Sequence, residues 1–89
     1  MILEEVRTVV DEMDEKFDSH EFIKAYILRF TKAYGSLLVK HENVTTAHAE
    51  ISNYLRNHAD ELGIEKVGAE KISKDIFGND APNAEWRKK

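Results

Sequence analysis

"YGSLLVKHEN", residues 34–43, decides how the fold class is read. Ser36 can cap a short helix over residues 37–41, or Leu37, Leu38 and Val39 can form a short buried strand. A strand needs a partner, and no second convincing strand stands elsewhere in the chain. The stretch is therefore read as helix. The expected fold class is all-α: a compact bundle of four to five short helices with an N-terminal antiparallel helical hairpin.

The flanking stretches lead to the same expectation. Over residues 2–17, Ile2, Leu3, Val6, Val9, Val10, Met13 and Phe17 fall within one arc of a helical wheel, with a broad acidic face opposite. "DSHE" at residues 18–21 is an Asp variant of the capping box. The helix it starts runs to about Tyr34, with Gly35 as its C′ residue. So short a connection implies an antiparallel hairpin. "TTAHAEISNYLRNHADELG", residues 45–63, reads as one amphipathic helix from an N-cap at Thr45 to Gly63. "IEKVGA" is a turn. "AEKISKDIFG", residues 69–78, is a last short helix with Ile72, Ile76 and Phe77 inward. Pro82 can open a terminal helical turn, and Trp86 is expected to fold back because an exposed indole wastes apolar surface. Residues 1–80 thus make one helical domain and residues 81–89 a C-terminal tail.

Length and composition bound the function. A chain of 89 residues fits one domain, and at this size folding buries only roughly 60–65% of the unfolded surface. A deep substrate cleft is hard to carve from so small a core. There is no cysteine, which excludes disulfides, thiolate nucleophiles and cysteine-built zinc sites. No basic start precedes an unbroken apolar stretch, and no apolar run approaches the ~20 residues that span a bilayer. A cytoplasmic location is expected, with no membrane partner. "NVT" at Asn43 matches the glycosylation pattern but carries no weight without a secretion signal.

Charge alternates along the chain. Residues 1–21 carry −6, residues 22–41 carry +4, residues 42–65 carry −4 and residues 66–89 carry +2, for a net −4. Either an acidic helix offsets a basic one internally, or the basic segment meets nucleic acid or an acidic partner.

Catalytic and metal motifs are missing. The histidines at 20, 41, 48 and 58 lie 21, 7 and 10 residues apart, not the three or four that put two ligands on one helix face. There is no GxSxG and no nucleophile with an evident base nearby. No enzyme activity, cofactor, metal or small-molecule substrate is expected. His58 falls inside the apolar arc of its helix. It is read as a core-edge histidine whose ring packs while one nitrogen finds a carbonyl; the alternative is a pH-sensitive contact, in which protonation near pH 6 would disturb packing.

Two function classes remain. The first is a non-catalytic intracellular protein-interaction or regulatory module, with a protein partner or self-association through its helical surface. The second is a helix-turn-helix-like nucleic-acid binder, from the helix–turn–helix outline of residues 36–58. Lys24, Arg29, Lys32 and Lys40 would then supply the basic face, and Asn53, Arg56 and Asn57 would be polar contacts on the reading helix. The usual turn glycine is absent from that outline, with Glu42 and Asn43 in its place.

Overall fold

The computed structural model describes all 89 residues. Its helices are α1 (Leu3–Glu12), α2 (Ser19–Arg29), α3 (Thr31–His41), α4 (Val44–Asn57) and α5 (Ala59–Leu62). Its strands are β1 (Lys16–Asp18), β2 (Ile64–Lys66), β3 (Lys71–Lys74), β4 (Asp80–Asn83) and β5 (Glu85–Lys88). Helix accounts for 56% of the chain and strand for 20%, an α+β mixture that overturns the all-α bundle.

The helix choice at residues 37–41 holds, because they belong to α3. What fails is the premise that no strand stands elsewhere. β5 lies between β1 and β2, antiparallel to both, with Phe17 opposite Trp86 and Ile64 opposite Lys88. β3 pairs with β4, Ile72 opposite Pro82. The chain from Ile64 to Lys88 is thus one long hairpin whose ladder breaks at Val67–Glu70, opposite Ala84. The Val67 N–H donates to the Glu85 carbonyl at 2.8 Å at the edge of the break. These strands are three or four residues long and rich in charged residues, above all Lys, so they show no clear alternation.

The predicted last helix over residues 69–78 is therefore a strand and a turn. Asp75 organises that turn. Its Oδ1 accepts the Phe77 N–H at 2.9 Å and the Asn79 N–H at 3.0 Å, an Asx-type turn. Ile72 and Phe77, expected inward, are exposed, while Ile76 packs against the core. Pro82 stands in β4 instead of opening a helical turn. Trp86 does fold back, as the buried centre of β5.

The N-terminal hairpin is corrected too. α1 stops at Glu12, Met13 is extended, and β1 intervenes before α2. An antiparallel hairpin would bring Glu12 to the first turn of α2. Instead it pairs with Arg29, in the last turn. The capping box stands as read: the Asp18 carboxylate accepts the Glu21 N–H at 2.7 Å, and the Glu21 carboxylate accepts the Asp18 N–H at 3.0 Å. α2 ends at Phe30 and α3 restarts at Thr31, so Gly35 lies inside a helix. The N-cap of α4 is Asn43, whose side chain accepts the Thr46 N–H at 3.0 Å, in place of the predicted Thr45.

The core joins both layers. Val6, Val9 and Val10 of α1, Phe22 and Tyr26 of α2, and Ile51 and Leu55 of α4 meet Phe17, Ile64 and Trp86 of the sheet. The rings of Phe17, Phe22, Tyr26 and Phe30 form a chain with successive centroids 6.4, 6.2 and 5.8 Å apart. The Trp86 indole N–H donates to Ser19 Oγ at 3.1 Å, so its one polar atom is satisfied in the interior.

Candidate functional site

The start of α2 needs partners for its first N–H groups, and the long hairpin supplies them. The Ser19 N–H donates to the Ala84 carbonyl at 2.9 Å, and the His20 N–H to Asn83 Oδ1 at 3.3 Å. With Oδ1 so engaged, Asn83 turns its amide Nδ2 toward Ser73 Oγ, 2.8 Å away. That hydroxyl also meets His20 Nδ1 at 2.9 Å. Lys71 adds an ion pair to Glu85 at 2.8 Å. The root of the β3–β4 hairpin is thereby held to α2 by directional polar bonds.

The hairpin then passes along α4, leaving a cleft of about 370 Å³ between them. Ile23 and Ala84 form part of its wall, and Thr45, Ser52 and Asn79 offer neutral polar groups. His48 stands on α4 with its Nε2 2.7 Å from the Tyr34 hydroxyl. Phe77, at the hairpin tip, stacks on the His48 ring with centroids 6.1 Å apart and planes 9° from parallel. Yet Phe77 remains 61% exposed. Burial pushes the His48 imidazole below its ordinary range; nearby Asp75 opposes that shift and His20 adds to it. Asp75 is held below the usual carboxylate range by the Asn79 and Phe77 N–H groups, helped by the two histidines. No group of three or more His, Asp or Glu side chains converges as a metal site would require.

The residues singled out from sequence do not form one surface. Arg29 pairs with Glu12 at 3.2 Å, and Lys40 pairs with Glu50 at 3.1 Å. Glu50 also meets His41 Nε2 at 2.6 Å. Burial works against its charge, but these two partners prevail and hold its carboxyl below the usual range. Arg56 lies on the cleft rim, bonded to Asn53 Oδ1 at 3.2 Å and facing Glu70 at 3.6 Å. Asn53 and Asn57 are exposed on α4, beside a shallower hollow that also touches Glu50. Lys24 and Lys32 are exposed and unpaired, one on α2 and the other on α3. His58 interrupts the helix between α4 and α5, half-buried, stacked on Tyr54 at 4.1 Å with Nδ1 2.8 Å from Glu61.

Sequence reading missed His20, His48, Ser73, Asp75 and Phe77 as a group. They come from α2, α4 and the hairpin. The one local signal was the turn-forming "DIFGN".

Exposed apolar side chains also lie outside the cleft, with Leu28 75% and Val39 79% exposed. No helix is long and apolar enough to cross a membrane. No protein-family model, curated protein or solved structure matches the chain.

Proposed function

We propose that this protein is a small non-catalytic interaction module that seats a protein partner in the cleft between α4 and the β3–β4 hairpin. The observation that carries this reading is the composition of the cleft mouth. Two exposed apolar side chains, Phe77 and Val44, line it together with the hydroxyls of Thr45 and Ser52 and the amide of Asn79. An exposed large apolar side chain that a partner would bury is the kind of group that anchors protein–protein recognition, with surrounding contacts that exclude water. The cations beside the cleft do not form a phosphate-binding field. Arg56, Lys71 and Lys74 each have a carboxylate within 4.0 Å, so a phosphate would have to displace one first.

The test is site-specific photo-crosslinking in cells, with the reactive group at Asn79 in the cleft or at Arg7 on α1. A discrete protein adduct at Asn79, missing at Arg7 and lost on adding Phe77→Ala, supports the proposal. Equal adducts at both positions would sink it. Sedimentation over a concentration range shows whether the partner is a second copy.

One observation favours a nucleic-acid reading as the second choice. Glu42 adopts φ 55°, ψ 17°, the left-handed conformation that the missing turn glycine would have taken. α3 and α4 are therefore joined by a two-residue turn, and no carboxylate stands in the first turn of α4. Random duplex DNA at low salt separates the readings. Affinity that falls steeply with added salt supports this second one, and no binding leaves the protein partner.

A further inference from the structure

The β3–β4 hairpin is fastened at its two ends by different chemistry. At the root, Asn83 and Ser73 bond to His20, and Lys71 bonds to Glu85. At the tip, Phe77 and Ile76 are the apolar contacts with the body, and the turn's polar bonds are internal to it. Between the hairpin and the main sheet lies the ladder break at Val67–Glu70, with Gly68 at φ 63°. A two-stranded ribbon is marginal without support from a neighbour, so its tip stays down only while those contacts hold.

We propose that the β3–β4 hairpin is a flap over the cleft, latched by the Phe77 ring on His48, and that proton uptake by His48 releases its tip while the root stays bound. His48 is enclosed by groups from each element packed on it. α3 contributes the Tyr34 ring, 5.7 Å away, and its hydroxyl. α2 contributes His20, and the hairpin contributes Asp75 and Phe77. Arg56 of α4 and Glu70 of the β2–β3 connection lie further along the same cleft and neutralise one another. A proton on His48 places a cation among two aromatic rings and a second imidazole. Asp75 is the one carboxylate facing it, and two backbone N–H groups already occupy its Oδ1. The exposed Phe77 ring offers the cation only a solvent-weakened attraction. Lifting the tip lets water reach the imidazolium, so opening and protonation favour each other.

The sign follows from linkage. Burial, the largest influence, lowers the proton affinity of His48 in the closed state, while Asp75 opposes that shift and His20 adds to it. Closure is therefore fully favoured above the ordinary imidazole range and is lost as pH falls through and below it. The consequence for partner binding rests on the function proposed above, whereas the latch is a property of the free protein. Its test uses the free protein, so failure of the latch is distinct from failure of that reading.

The experiment is an NMR titration of the full chain from about pH 7.5 to about pH 5, spanning the imidazole range. The expected result is a shift of the Phe77 ring resonances toward those of a solvated phenyl ring, with loss of the Phe77–His48 cross-relaxation peaks. Both should share the midpoint of the His48 ring protons, while Val6 and Trp86 stay still. In His48→Phe, which keeps an aromatic platform and takes up no proton there, the Phe77 resonances should not move. Phe77→Ala provides a second check, removing the latch ring while His48 stays in place. At pH 7.5 its Ile76 and Asn79 resonances should sit where those of the parent sit at pH 5. Phe77 resonances that stay fixed while His48 titrates overturn the proposal. So do movement that follows His20 instead, an unchanged transition in His48→Phe, or Phe77→Ala tip resonances at their neutral-pH positions.

Discussion

Replacing Trp86 by alanine tests the placement of β5 most directly. Trp86 is 2% exposed, at the centre of the strand that joins β1 to β2, and its indole N–H is the donor to Ser19 Oγ. Truncating a buried tryptophan costs about 3–5 kcal/mol through lost burial and the cavity left behind. Ser19, itself 2% exposed, would lose a hydrogen bond worth about 1 kcal/mol. The sum of about 4–6 kcal/mol compares with a total stability of about 5–10 kcal/mol for a domain of this kind. At a urea slope of about 1 kcal/mol per molar, the midpoint should fall by about 4 M or more. The variant should retain about 6 kcal/mol at most, and it unfolds in buffer alone where the parent stands at the low end of its range. Trp86→Phe keeps a ring and removes the N–H donor, so its loss should be intermediate. The assay is urea unfolding followed by far-ultraviolet circular dichroism, which needs no tryptophan signal. If residues 81–89 were a solvated tail, Trp86→Ala would cost within about 0.5 kcal/mol. An unchanged midpoint would refute the three-stranded sheet.

Asp18→Ala breaks the capping box at the start of α2 and should cost about 1 kcal/mol in the same assay. Gly35→Ala should stabilise by about 0.5–1 kcal/mol, because Gly35 lies inside α3 and an added Cβ meets nothing within 4 Å; a lower midpoint would contradict that placement. Glu50, with its carboxyl held below the usual range by His41 and Lys40, contributes stability that is present above the ordinary carboxylate pKa and is lost as pH falls through its lower folded value. Glu50→Gln should therefore flatten the acid side of the stability–pH curve, and a curve of unchanged shape counts against the cluster.

Much of the local structure was legible in the residues. The Asp18–Glu21 capping box, the apolar stripe of α1, the stop at Gly63 and the return of Trp86 follow from interactions within a few residues or from one large side chain. Gly63 sits at φ 70°, where glycine is at ease. Other features failed at the local level for identifiable reasons. Gly35 looks like a stop, but α3 begins four residues before it and runs through it. Ile72, Ile76 and Phe77 have helical spacing, yet two of the three are exposed on a hairpin that Asp75 closes. The charge alternation allows either an internal offset or an external face, and the ion pairs show the internal offset for part of the basic segment. Arg29 and Lys40 find Glu12 and Glu50, while Lys24 and Lys32 stay free.

By itself, then, the sequence determined the apolar stripe of α1, the Asp18–Glu21 capping box and the stop at Gly63, because each depends on neighbours a turn or less away, and the need to bury the indole, because one large side chain sets it. Only the tertiary structure decided the strands and the cleft. Phe17 meets Trp86 across 69 positions of chain, and His20 meets Ser73 across 53. A three-residue strand has no pattern of its own to announce it; it becomes a strand when a distant edge accepts its hydrogen bonds. The His48–Phe77 contact depends on the same closure, because the two rings meet only after the long hairpin has docked on α2 and α4.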